Sequence, residues 1–318
     1  MKIAVAFLCY NQSSAPYLPD FLKSLNQALR LVEAEILLLA GDNSDQEPNP
    51  NQTELRHYNE TALFPAKTIA FGANLGFAAA YNCLLDEAAA AQADYFLMLN
   101  PDMLLDEKMI RELLSAFKND HTLAAACPKI YRWDFSTRTL TNLIDSCGIA
   151  LRPGLRFYDV GQGREDKELK TALPIIGPSG AAAFFQMEAL AKIKEGKQYF
   201  DERFFMYKED CDLAYRLQAA GLKSILVPSA LAYHDRSAAA QAGILHTWRH
   251  WRGRSRQTRS WSFVNQHLLF IKHWHQENWF SRVFIIAEVL FLGLFSLILA
   301  PFLLKDYPRL LRYLRGLD

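Results

Sequence analysis

Three carboxylates, Glu209, Asp210 and Asp212, crowd the stretch "YKEDCDLAYRL" (207–217), which follows on the aromatic run "FDERFFMY" (200–207) at the start of a helical pattern. The N-terminal end of a helix favours the ionised form of a carboxylate. Aromatic neighbours keep water away from whatever that carboxylate does. Asp212 has Arg216 four residues on, the spacing of an ion pair on a helix surface, and a structural role suits it.

Other polar residues stand where short apolar runs end. In "LMLNPDM" (97–103), Asn100 and Asp102 follow an apolar run, where an aspartate can meet a divalent cation or a phosphate; an Asn-Pro-Asp turn capping the next helix uses the same letters. In "GDNSD" (41–45), Asp42 or Asn43 can hydrogen-bond the edge of a nucleobase, and a plain Asx turn has the same composition. In "FGANLGFAAAYN" (71–82), Gly72 and Gly76 permit close backbone approach while Asn74 and Asn82 can face a ribose or phosphate, the alternative being simply the start of a helix.

The elements that must position these residues alternate. Strands are expected at Ile3 to Leu8, Ile36 to Ala40, Thr68 to Ala70 and Tyr95 to Leu99, with helices near Pro16 to Leu29, Phe77 to Ala91 and Glu107 to Phe117. That rhythm predicts an α/β fold with a mostly parallel sheet and right-handed crossovers. Ligands of such sheets bind at the carboxyl ends of the strands, where Asn11, Asp42, Asn43, Asn74, Asn100 and Asp102 all fall. From Tyr131 to about Thr171 the pattern suits a hairpin or a loop covering a site. Order returns at "IIGPSGAAAFFQMEAL", a small-residue turn leading into an apolar strand, and again at the strand "SILVP" (224–228).

With 51% hydrophobic residues the chain has ample core, and a net charge of +1 gives no global field for a nucleic acid partner. The five cysteines are scattered and free of CxxC spacing, which favours reduced thiols in a cytosolic compartment over a structural zinc site. The apolar N-terminus "MKIAVAFLCYNQ" lacks a long h-region and a cleavage site, so it is expected to be a strand and not a signal peptide.

In order and spacing, "FLCYN", "GDNSD", "NLGFAAAYN", "LNPD", "SGAAAFF", "FDERFFMYKEDCDLAYRL" and "YHDRS" resemble the inverting glycosyltransferases of family 2, especially the bacterial rhamnosyltransferase-like branch, over about residues 3 to 237. The resemblance implies a GT-A (Rossmann-like) catalytic domain over 1–240. It implies that Asp210 is the general base, with Glu209 orienting the acceptor or a loop. Asp102, preceded by Asn100 where many relatives have a first Asp, matches the DXD-type element that holds Mg²⁺ or Mn²⁺, and His234 matches a histidine that completes the metal shell in some relatives. Tyr10, Asn11, Asp42, Asn43, Asn74, Gly76, Asn82, Asn100 and Gly180 match the nucleotide-sugar contacts. The donor implied is dTDP-rhamnose and the acceptor a growing cell-surface glycan on a polyprenyl diphosphate.

Residues 241–318 differ in kind. Trp248, Trp251 and Trp261 are mixed with Arg249, Arg252, Arg254, Arg256 and Arg259, and the 22-residue run 283–304 carries Glu288 as its only charge. The length would cross a bilayer core, but a crossing would export Lys305, Arg309, Arg312 and Arg315 against their cytoplasmic preference. A re-entrant or interfacial helical hairpin on the cytoplasmic face of the bacterial inner membrane is therefore expected, the alternative being a helix buried against the domain or in a dimer. A noncatalytic nucleotide-sugar-binding scaffold is the rival function. It has no need to keep Asp102, Asp210 and His234 together. A nucleotidyltransferase would want a glycine-rich basic loop where "CYNQSSAP" stands.

Overall fold

The computed structural model describes residues 1–166, 171–235 and 251–316. Its first half alternates as expected: β1 (Lys2–Cys9), α1 (Asn11–Ser14), α2 (Leu18–Leu29), β2 (Glu35–Asp42), α3 (Pro50–Thr61), β3 (Ala66–Ala70), α4 (Gly76–Ala90), β4 (Tyr95–Leu99), β5 (Met103–Leu105) and α5 (Met109–Asn119). Then come β6 (Leu123–Asp134), β7 (Thr139–Ser146), the hairpin β8 (Ile149–Arg152) and β9 (Arg156–Asp159), β10 (Leu173–Ile175), β11 (Ala182–Gln186), α6 (Met187–Lys192), α7 (Glu209–Ala219) and β12 (Lys223–His234). Three further helices, α8 (Arg256–His273), α9 (Trp279–Ile298) and α10 (Tyr307–Leu314), close the described chain.

One sheet organises residues 2–234, in the order β10-β12-β6-β11-β4-β1-β2-β3, with β5 beside β12 and β7 beside β6. Strands β4, β1, β2 and β3 are parallel, as are β6 and β12, whereas β11 runs antiparallel between β4 and β6. Successive side chains of a strand point to opposite faces. In β1, Ile3, Val5 and Phe7 accordingly join one core with α2 and α5, while Ala4 and Ala6 join the other with Tyr81 and Leu84 of α4.

Three elements escaped the pattern. Helix α3 starts on an Asn49 side chain that accepts from the Asn51 amide and buries only Asn51 and Leu55, so its sequence has almost no apolar stripe. Strand β6, "LAAACPKIYRWD", is alanine-rich and interrupted by Pro128. Strand β12 does not end at Pro228 but shifts register between Val227 and Leu231 and continues to His234. An irregular position needs no ladder N–H, so the sheet tolerates a proline there.

The stretch after Tyr131 does contain a hairpin, β8–β9. The C-terminal helices pack against the sheet-bearing part: Phe204 shares a core with Phe263, Leu268, Leu303 and Leu310, and Tyr215 of α7 shares another with Phe270 and Ile285. Trp261, expected at the headgroup level, stacks on Phe205 at a ring distance of 5.0 Å. Trp248 and Arg249 lie outside the described residues.

Candidate active site

The carboxyl ends of β1, β2 and β4 share one edge of the sheet, because Cys9 pairs with Asp42 and Phe7 with Leu99. Ala182 of the antiparallel β11 starts opposite Leu99, which brings Gly180 to the same edge, and the Asn100 amide donates to the Ala181 carbonyl at 2.9 Å. Gly180 in turn receives helix α7: its amide donates to Asp210 Oδ2 at 2.9 Å. Asp210 Oδ1 accepts from the Cys211 amide at 2.8 Å. Each carboxylate oxygen keeps a lone pair for a hydroxyl.

Glu209, its neighbour, is 5% exposed, and its Oε2 has no hydrogen-bond partner. Burial, then the charges of Asp210 and Asp212, push its pKa well above the usual carboxylate range. The two adjacent acids are thus set apart: one buried with its pKa raised, the other held by backbone amides at the sheet edge.

The second cluster forms where β12 ends. His234 pairs with Met103 and the Asp235 amide donates to the Asp102 carbonyl, so β12 delivers His234 to Asp102. Asp102 Oδ1 is buried, makes no hydrogen bond, and lies 3.2 Å from His234 Nε2. On the other side of the ring, Nδ1 is 2.9 Å from Oδ2 of Asp145, a residue only 1% exposed. Burial pulls the His234 pKa down, but Asp102 and Asp145 outweigh it and push it up to about 10. A histidine whose Nδ1 is held by a carboxylate presents Nε2 to a cation. Asp102 Oδ1, ion-paired with that nitrogen here, could join it as a donor to such a cation. Among the described residues no group of three or more His, Cys, Asp and Glu side chains forms a closed metal cage. Asp102 and His234 are the residues there that could hold a divalent cation.

The expected nucleotide contacts divide. Asn11 sits in the left-handed region (φ 44°) and forms a reciprocal pair with Asp45: its Nδ2 donates to Asp45 Oδ1 at 2.9 Å and its Oδ1 accepts from the Asp45 amide at 3.1 Å. Asp42 is 2% exposed and accepts from Asn49 and Gln52 side chains and the Ser44 amide. Asn43 donates to Asn74 Oδ1 and the Gly76 carbonyl and accepts from the Leu75 amide, which fixes the turn into α4. Asn74 and Tyr10 are half-buried at the same edge.

One expectation needs correction. Asn82 donates to the Phe200 carbonyl and Glu202 Oε1 and accepts from the amides of Tyr199 and Phe200, which saturates its amide group. It ties α4 to the turn before α7 and has nothing left for a nucleotide. Asp212 is corrected in place only. Its pair with Arg216 forms, at 2.8 Å, but is buried, and it extends to Lys272 and His273 of α8 at 2.9 and 2.8 Å. Burial would raise the Asp212 pKa, yet His273, Arg216 and Lys272 hold it well below the usual range.

Sequence reasoning missed Asp145, Trp133, whose Nε1 donates to the Asp102 carbonyl, and Asn265 of α8. Asn265 Nδ2 lies 2.7 to 2.8 Å from the carbonyls of Phe204, Met206 and Tyr207. That segment carries Phe205, Tyr207 and Lys208 at φ of 56°, 73° and 70°, immediately before α7, the helix that carries Asp210. The Phe205 carbonyl also accepts from the Phe77 amide at 2.6 Å, joining α4 to the same segment. Asp145 had a sequence signal, a lone acid in the apolar run "LIDSCG".

A model of glycosyl transferase family group 2 matches residues 95–316, well over half of the chain. The chain belongs to glycosyl transferase family group 2. This family 2 glycosyltransferase is 30% identical over 244 residues to the N-acetylglucosaminyl-diphospho-decaprenol L-rhamnosyltransferase of Mycobacterium tuberculosis strains CDC 1551 / Oshkosh and ATCC 25618 / H37Rv, a match covering 71% of this chain and 74% of that protein. It is similar in structure to GalNAc-T7 solved with UDP, GalNAc and Mn²⁺ (TM-score 0.55, 14% identity, 74% of this chain and 43% of that one). It is also similar to the mannosyltransferase PcManGT of Pyrobaculum calidifontis solved with GDP-Man and Mn²⁺ (TM-score 0.54, 14% identity, 99% and 75%). At those identities the likeness is one of fold, and the fold is the GT-A type.

Proposed function

We propose that this glycosyltransferase is metal-dependent and inverting, and that it moves rhamnose from dTDP-rhamnose to a hydroxyl of a glycan carried on a polyprenyl diphosphate, at the cytoplasmic face of the bacterial inner membrane. The observation that carries the reaction class is the placement of Asp210 and the Asp102–His234 pair at the edge where the parallel strands end. The choice of sugar and acceptor is supported by the rhamnosyltransferase relative, whose name specifies a lipid-linked N-acetylglucosaminyl diphosphate.

In this reading Asp210 takes the proton of the acceptor hydroxyl as that oxygen attacks the anomeric carbon on the face opposite the departing diphosphate. The backbone amides of Gly180 and Cys211 hold the carboxylate for that task. Glu209 is buried, and its raised pKa disfavours a second charge beside the base. Asp102 and His234 would hold a divalent cation, with Asp145 orienting the imidazole. When bound, that cation stabilises charge developing on the leaving nucleoside diphosphate. Asn11, Asn74, Asn100, Tyr10 and the Asp42–Asn43 turn would line the nucleotide sugar.

The test is release of nucleoside diphosphate from a panel of sugar nucleotides with Mg²⁺ or Mn²⁺, with a membrane lipid extract as acceptor and the Asp210→Asn variant in parallel. Release from dTDP-rhamnose alone, abolished in the variant, is expected. Release from a different donor would replace the sugar assignment, and donor binding with no turnover on any lipid-linked acceptor would favour a scaffold.

A further inference from the structure

Helix α9 is built inside out. Its buried residues are Ser281, Ile285 and Ser296, and Glu288 lies on the same helical stripe. The opposite stripe is Val283, Ile286, Leu290, Leu294 and Leu297, exposed by 50% to 64%. A helix on the surface of a water-soluble domain has the reverse arrangement. Among the described residues, most of the exposed large apolar side chains of the chain fall between 279 and 314. An apolar face of that extent marks an interaction surface.

We propose that α9 is an in-plane membrane helix: its outward stripe sinks into one leaflet of an anionic bilayer while its polar stripe stays docked on the catalytic domain. The inference deepens the function proposed above, since it names the surface that holds the enzyme at a lipid-linked acceptor. The inner side is fastened by polar bonds. The Gly154 amide donates to Ser281 Oγ at 2.8 Å, Arg156 pairs with Glu288 at 2.6 Å, and Ser296 and Tyr307 share a hydroxyl bond of 3.0 Å. The only charge within the apolar run is therefore turned inward and neutralised.

Those same bonds argue against a span. A helix crossing the bilayer would take the β8–β9 hairpin with it, placing Arg152, Arg156 and its backbone edges in hydrocarbon, where unsatisfied polar groups are not tolerated. Lying at the interface costs none of this. The flanks supply the matching charge. From 279 to 318 the sequence has five basic residues, Arg282, Lys305, Arg309, Arg312 and Arg315, against three acidic ones, Glu288, Asp306 and Asp318, and Glu288 is paired with Arg156. Anionic headgroups complement that excess. Trp279, 75% exposed at the helix start, suits the headgroup level.

Two measurements without any donor test this, so that a failure of the transferase reading leaves them intact. The first is co-sedimentation with vesicles of phosphatidylethanolamine and phosphatidylglycerol. Leu290→Arg with Leu294→Arg is expected to weaken partitioning about tenfold or more, while Leu63→Arg, at a site equally exposed elsewhere (62%), leaves it unchanged. The second is labelling of His275→Cys and Lys305→Cys on vesicle-bound protein by a membrane-impermeant maleimide; both ends are expected to react from the outside. Labelling of one end only would establish a span. Undiminished vesicle binding by the double variant, with a fall in its oligomeric mass by light scattering, would assign the face to a second copy of the chain. Either result overturns the proposal.

Discussion

The side-chain amide of Asn265 lies 2.7 Å from the backbone carbonyl of Tyr207, across 58 residues of sequence. Through this contact and those to Phe204 and Met206, a helix outside the sheet holds the left-handed segment that aims Asp210. Non-glycine residues at positive φ cost free energy each, so they persist only where the surroundings hold them. Asn265 is 1% exposed and holds three of the segment's carbonyls.

Asn265→Ala should therefore cost about 1 to 3 kcal/mol of stability, the usual penalty for leaving buried carbonyls unbonded. It should lower turnover more than it raises KM for the donor, because the base-bearing helix loses its aim while the strand-edge contacts remain. Urea denaturation and initial rates against donor concentration separate the two effects. A uniform rise in KM with turnover intact would remove Asn265 from a positioning role.

Gly76 and Gly72 offer an internal contrast. Both have positive φ, 79° and 70°, but a Cβ on Gly76 would stand 2.5 Å from the Phe205 carbonyl oxygen, whereas one on Gly72 meets nothing within 4 Å. Gly72→Ala should cost about 1 kcal/mol from the backbone alone, and Gly76→Ala clearly more, with loss of activity as the segment before α7 is displaced. Equal midpoints in denaturant would show that the Gly76–Phe205 contact does not matter.

Asp145 touches the proposed metal pair through Nδ1 of His234. If Asp145 orients the ring, Asp145→Asn should weaken Mn²⁺ binding about 10- to 100-fold, and Asp102→Asn more. Titration of Mn²⁺ followed by its electron paramagnetic resonance signal measures both. Unchanged Mn²⁺ affinity in Asp102→Asn would sink the assignment of that pair as the metal ligands.

Asp212 and Glu209 should shift stability with pH in opposite senses. The folded pKa of Asp212 is depressed, so its network contributes fully above the unfolded value of about 4 and is lost as pH falls towards the folded value. The folded pKa of Glu209 is raised, so it costs nothing below about 4 and lowers stability as pH rises from there. Asp212→Asn should lose about 3 to 5 kcal/mol at neutral pH by stranding its buried partners, a deficit that narrows in acid. Glu209→Gln should be no less stable than the parent at neutral pH. Denaturation curves of the three proteins between mildly acid and neutral pH show whether these trends occur.

Part of this was legible along the chain. The alternation of Ile3, Val5 and Phe7 against Ala4 and Ala6, and the turns at Asp42, Asn74 and Asp102 after their strands, are local patterns with local causes, as is the clustering of Glu209, Asp210 and Asp212 at a helix start. Side-chain period and turn chemistry act over a few residues, so the parallel half of the sheet and the polar turns at its carboxyl edge could be read directly.

What only the tertiary structure decided are the partners brought from far away. Whether β12 stopped at Pro228 or ran on to carry His234 to Asp102 depended on an irregularity set by pairing with β6. Asp145 stands 89 residues from the histidine it orients, and Asn82 looked like a ligand until four backbone and side-chain groups near residue 200 claimed it. In α9 the sequence shows an apolar run, but which side faces outward is fixed by Gly154 and Arg156, in another element. Hydrogen bonds and ion pairs between distant segments leave no periodic mark on either one, because each partner is selected by a geometry that exists only after the chain has closed on itself.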